Sequence, residues 1–159
     1  MGKNKTIIVA EPGKQEYFVT REFDAPREMV FKAFTDSGLF TQWGLGGRNI
    51  KIENWNYVTG GSYRYVMLSM HANFGVIHEV SAPERIIRTF EFSGLPERGH
   101  IALEKILFEA LSDKRTKVTI QFICESVAFR DGMAGAGMEK NLTDAYDTLD
   151  RFLAKELIK

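Results

Sequence analysis

The stretch DGMAGAGMEKNLTDAYDTLDRFLAKELI, Asp131–Ile158, decides how the rest of the chain is read. Met138, Leu142, Ala145, Leu149 and Phe152 recur at steps of three and four, which places them on one face of a 3.6-residue helix. Tyr146, Leu153 and Leu157 widen that stripe, and Lys140, Asp144, Asp147, Asp150, Arg151 and Lys155 fall opposite it. The spacing predicts one long amphipathic helix over residues 131–158. The chain before it reads mostly as strands, and strands with one apolar face need an element to pack on.

Working outward, Tyr17-Phe-Val-Thr-Arg-Glu-Phe-Asp24 is β-rich and partly alternating, a first strand. Asp24-Ala25-Pro26 stops it and opens a helix, since proline suits a first turn whose N–H groups lack partners. Met29, Val30, Ala33 and Phe34 form that helix's apolar face. Asp36 or Ser37 caps a second short helix carrying Leu39, Phe40 and Trp43, closed by Gly44-Leu-Gly-Gly47. Strands are then predicted over 49–57, 62–70, 74–80, 86–92, 101–111 and 117–127. Turns at Thr59-Gly-Gly61, Ser81-Ala-Pro-Glu84, Gly94–Gly99 and Ser112-Asp-Lys114 separate them. Strands in series followed by a helix argue for an α+β fold rather than alternating α/β.

Composition narrows the function classes. The 159 residues suit one domain spanning 1–159, with its core over about 17–157. Lys and Arg total 21, as do Asp and Glu, so there is no basic surplus of the kind that neutralises phosphates, and no nucleic-acid partner is expected. No apolar run approaches a membrane span, so no membrane partner is expected either. Ile7–Ala10 is too short for a secretory apolar segment, and Cys124 is the only cysteine. A chain without disulfides suits a reducing cytoplasm, which is the expected location. Cys124 lies in an apolar run and reads as a buried strand residue.

Phe23-Asp-Ala-Pro26, Met29-Val-Phe31, Ala33-Phe-Thr-Asp36, Trp43, Gly60-Gly61 before Tyr63-Arg64 and Met67, Gly75-Val-Ile-His-Glu-Val80 and Pro83-Glu-Arg85-Ile86 occur in a distinctive order. With the tail Gly135-Ala-Gly137-Met138, Leu142 and Leu149, they resemble the START-like helix-grip (SRPBCC) superfamily, the fold of the birch pollen allergen. Within it the chain is most similar to the family of the C-terminal domain of the heat-shock-90 chaperone ATPase activator. The resemblance implies a curved antiparallel sheet of about six to seven strands around the C-terminal helix. Two short helices would lie between strands 1 and 2, and a hydrophobic cavity between sheet and helix. It implies no single activity, since relatives include ligand carriers, aromatic cyclases and co-chaperone domains.

No catalytic signature is readable. His71, His78 and His100 lack zinc-helix spacing, no serine sits in G-x-S-x-G, and Gly132, Gly135 and Gly137 are not followed by the Lys-Ser/Thr of a phosphate loop. No metal and no cofactor are expected. Small residues before the long helix suit either close packing or a lip over the cavity mouth. Arg64, Glu79 and Glu91 are charges inside predicted strands whose facing alternation alone leaves open. The expected ligand-binding wall comprises Trp43, Tyr63, Tyr65, Met67, His78, Phe90, Phe108, Met138, Leu142 and Tyr146, mostly rings and adaptable methionines with a few polar anchors. The leading expectation is a protein that binds an apolar or aromatic small molecule. One alternative is a co-chaperone-like module that stimulates a chaperone ATPase; another is a cyclase- or hydratase-type enzyme using cavity acid–base groups. A monomer or weak homodimer is expected.

Overall fold

A computed structural model describes residues 4–47, 49–67, 71–135 and 137–159. Eight antiparallel strands form one open, curved sheet: β1 (Ile7–Val9), β2 (Glu16–Phe23), β3 (Ile50–Asn56), β4 (Ser62–Met67), β5 (Ala72–Ser81), β6 (Arg85–Phe92), β7 (Ala102–Ser112) and β8 (Arg115–Ile123). Their order across the sheet is β1-β2-β8-β7-β6-β5-β4-β3. Helices α1 (Arg27–Thr35) and α2 (Ser37–Trp43) lie between β2 and β3, and α3 (Val127–Gly135) and α4 (Met138–Leu157) follow β8. The architecture is the α+β helix grip expected.

Two expectations are corrected. Ile7–Val9, read above only as a short apolar run, pairs with Phe18–Thr20 and adds an edge strand, so the count exceeds six or seven. The single helix over 131–158 is two helices. Ser126 Oγ accepts from the amide of Phe129 at 3.0 Å and starts α3 there, which also ends the strand expected over 117–127 at Ile123. Gly137 then adopts φ +71°, a left-handed conformation that breaks the run before α4. The last residues of the strand expected over 62–70, Leu68–Met70, lie outside the described residues.

Local chemistry explains the remaining elements. Pro26 immediately precedes α1, and the Asp36 carboxylate accepts from the Leu39 amide at 3.1 Å to cap α2. Tyr17, Val19, Arg21 and Phe23 of β2 alternate inward, as do Val118, Ile120 and Phe122 of β8. Ala145, Tyr146, Leu149 and Leu153 of α4 face this surface. The short helices are fastened by indoles: Trp43 Nε1 donates to Ala33 O at 2.9 Å and Trp55 Nε1 to Thr35 O at 2.7 Å. No helix of the described residues is long and apolar enough to cross a membrane.

Candidate ligand cavity

The sheet does not close on α4 along its whole length. Between them lies a cavity of about 860 Å³. Its floor is the inner face of β2, β8, β7, β6 and β5, which carries Tyr17, Phe122, Ile120, Ile106, Phe90 and Asn73. Phe34, Phe40 and Trp43 close one end. Met138, Leu142, Ala145 and Tyr146 of α4 form the roof. At the mouth, Leu95, Pro96, Glu97 and His100 of the β6–β7 loop face Phe129, Gly132 and Met133 of α3.

Of the residues expected in the wall, Trp43, Tyr65, Phe90, Met138, Leu142 and Tyr146 line the cavity, and the other four do not. Tyr63 stands opposite Gly75, and its hydroxyl donates to Thr89 O at 2.7 Å, so its ring is committed across β5. A Cβ on Gly75 would meet Thr89 O at 2.0 Å, so only glycine leaves that passage open. Phe108 is claimed by α1, packing on Phe31 and Phe34 with ring centroids 4.9 and 5.2 Å away. His78 is exposed because β5 buries Ile77 and the ladder to β6 shifts register between Ile77 and Glu79. Met67 is half-buried at the end of β4, outside the lining. Of the glycines expected either to pack closely or to form a lip over the mouth, Gly132 lines the mouth from within α3.

The polar centre of the cavity was not among the expected residues. Arg88 of β6 and Glu104 of β7 are directly paired in the ladder and face inward. Arg88 Nε donates to Glu104 Oε1 at 3.0 Å, Arg88 Nη1 donates to Tyr57 Oη at 3.0 Å, and the guanidinium lies 4.5 Å from the Tyr63 ring centroid. Only 14% of the Arg88 side chain and 5% of that of Glu104 is exposed. Burial pulls the guanidinium down, but the Glu104 carboxylate and the tyrosines outweigh it and hold Arg88 well above its ordinary range, firmly charged. Arg64, in contrast, is exposed and Glu79 half-buried, and they are ion-paired to Glu53 and Arg85. Glu91 is covered by the β6–β7 loop, where it accepts from Arg98 Nε at 3.0 Å and the Gly99 amide at 3.1 Å.

The tyrosines around this pair are all pushed up by burial, Tyr17, Tyr57, Tyr63, Tyr65 and Tyr146 alike. They therefore remain protonated near neutrality and can donate hydrogen bonds rather than abstract protons. Cys124 is buried, and desolvation pushes its thiol up to about 11, so it is a thiol and not a nucleophilic thiolate at neutral pH. Tyr17 Oη and Asn73 Nδ2, both sealed in the wall, find no hydrogen-bond partner among the described residues. No cluster of three metal-ligating side chains occurs among the described residues.

Solved structures of the same shape exist. A protein from Arthrobacter aurescens, solved by NMR, superposes with a TM-score of 0.82 at 20% identity, covering 94% of this chain and 91% of that one. Ms6760 from Mycobacterium smegmatis does so with a TM-score of 0.82 at 17% identity, covering 95% and 98%. DynU16, a protein of the dynemicin biosynthetic locus, gives a TM-score of 0.69 at 20% identity over 89% of this chain and 48% of its own. At these identities the likeness shows a shared fold. Comparison with curated proteins returns no match. Residues 24–154, from the end of β2 to the last turns of α4, match the family described as activator of Hsp90 ATPase homolog 1-like protein, and the chain belongs to that family.

Proposed function

We propose that this protein binds an apolar or aromatic small molecule in the cavity between the sheet and α4. The observation that carries the proposal is the cavity itself: about 860 Å³, walled by aromatic and aliphatic side chains around one buried polar centre. That is the usual composition of a small-molecule site, where apolar area supplies affinity and a few polar groups set orientation. Burying a ligand here is worth roughly 25 cal/mol for each Å² of apolar surface removed from water. The occurrence of DynU16 in a biosynthetic locus supports a small-molecule context.

Trp43, Tyr65, Phe90, Met138, Leu142 and Tyr146 act as the binding wall, and the protein works in the cytoplasm. The protonated tyrosines and the mutually neutralising Arg88–Glu104 pair favour binding over acid–base chemistry. The family description supports a chaperone as a second partner, which stimulation of a chaperone ATPase by the purified protein would reveal. The small-molecule reading is tested by native mass spectrometry of the protein as purified, followed by ligand-observed NMR with a lipophilic library. Saturable binding of apolar aromatic compounds is expected. A library with no binder would overturn the reading.

A further inference from the structure

Resting on that reading, we infer that the cavity selects a neutral ligand bearing a hydrogen-bond-accepting oxygen, such as an aromatic ketone, over an anionic one. A lone arginine in an apolar cavity would be an anion receptor, because a buried charge is costly unless it is compensated. Arg88 is already compensated. Glu104, its direct ladder partner on β7, accepts from Nε at 3.0 Å, so the pair carries no net charge into the cavity. A carboxylate entering beside it would shed its own hydration and meet Glu104 as well as Arg88, with no net Coulomb gain to offset that loss.

The pair nevertheless leaves a hydrogen-bond donor facing the cavity. Arg88 uses Nε for Glu104 and Nη1 for Tyr57, which leaves Nη2 without a partner among the described residues, and it is not sealed. Arg88 thus offers a donor to the cavity, while Glu104 Oε1 is taken up by Arg88 Nε. A neutral carbonyl or ether oxygen complements that arrangement. Arg88 Nη2 is its primary donor, and the rings of Tyr65, Phe90 and Phe122 cover the attached apolar skeleton.

Three probes of one shape test this: 2-acetonaphthalene (neutral ketone), 2-naphthoate (anion) and 2-ethylnaphthalene (hydrocarbon), each titrated at neutral pH by protein-observed NMR. On the unaltered protein the ketone is expected to bind at least tenfold more tightly than the naphthoate. Glu104→Gln uncovers the Arg88 charge and is expected to raise naphthoate affinity by about tenfold, the effect of one charge-assisted hydrogen bond. Arg88→Met/Glu104→Leu replaces the pair with apolar groups of similar size, a change that buried pairs tolerate without loss of folding. There the ketone is expected to lose about tenfold relative to the hydrocarbon. Tightest binding of naphthoate to the unaltered protein, or an unchanged ketone-to-hydrocarbon ratio in the double variant, would overturn the inference while leaving small-molecule binding standing. Failure of all three probes to bind would overturn both.

Discussion

Arg21 Nη2 lies 2.9 Å from Asp147 Oδ1, joining β2 to α4 across 126 positions of sequence. The same guanidinium contacts Asp150 one turn later and donates through Nη1 to Thr6 Oγ1 at 3.0 Å. Arg21 is almost wholly buried, whereas the side chains of Asp147 and Asp150 are 44% and 26% exposed. The roof of the cavity is therefore pinned by an asymmetric ion triad, the arginine dry and the two carboxylates partly exposed. That asymmetry gives an ordered prediction. Asp147→Asn/Asp150→Asn leaves a buried charge uncompensated and should cost about 3–5 kcal/mol. Arg21→Met leaves two carboxylates that water can reach and should cost only about 1–2 kcal/mol. Urea denaturation of both variants measures the order, and equal losses would refute it.

Tyr17 stacks on Phe122 with ring centroids 4.6 Å apart, and its hydroxyl is buried without a partner among the described residues. An unsatisfied buried hydroxyl costs about 1–3 kcal/mol. Tyr17→Phe keeps the stack and removes that cost, so the ligand-free protein should gain about 1 kcal/mol, or about 2–4 °C in Tm for a chain of this size. Thermal denaturation checks this. A fall in Tm would mean that the hydroxyl has a stabilising partner.

The β6–β7 loop at the mouth is held by two clasps that titrate in opposite directions. His100 contacts Glu125 through Nδ1 and Glu97 through Nε2, and both carboxylates raise it above its ordinary 6.5. A raised histidine contributes fully below 6.5 and loses its contribution as pH climbs through its folded value. Glu91 is lowered from 4.5, first by Arg98 and then by the Gly99 amide, so its contribution is present above 4.5 and is lost as pH falls through the lowered value. Both clasps are whole between about pH 4.5 and 6.5. The protection factor of the Gly99 amide in hydrogen exchange should peak in that window and decline on either side. A flat profile would show that the loop is held by other contacts.

Leu142 faces the cavity from α4 and is only partly buried. In a filled core, Leu142→Trp would cost about 1–3 kcal/mol through overpacking. Here the extra volume enters open space. The variant should lose less than about 1 kcal/mol in urea denaturation, while 2-acetonaphthalene binding falls at least tenfold. Full loss of stability with binding retained would contradict the placement of the cavity.

The fold was legible because its signals are local and periodic. The α4 stripe from Met138 to Leu153, the Asp36 cap and the turn glycines each name an element without reference to any other. The split between α3 and α4 was hidden, because Gly135-Ala-Gly137 lies within an otherwise continuous helical spacing. For the site, rings on the apolar faces could be read, but their competition for space could not. Tyr63 and Phe108 have the right spacing and are spoken for by Thr89 and by α1. The polar centre had a signal that passed unused. Arg88 is the single charge in the series Ile86, Arg88, Phe90, Phe92, and Glu104 in the series Ala102, Glu104, Ile106, Phe108. A lone charge on an apolar alternation marks an inward group. That the two face each other depends on the β6–β7 register, which only the assembled sheet provides.

The most direct test of the account is a methyl-NMR titration of the intact protein with 2-acetonaphthalene. Saturable shifts are predicted for Ile106, Ile120, Met133, Met138 and Leu142, which line the cavity, with none at the exposed Ile7, Val58 and Ile158. Absence of shifts at saturating probe, or shifts confined to the exposed methyls, would contradict binding between the sheet and α4.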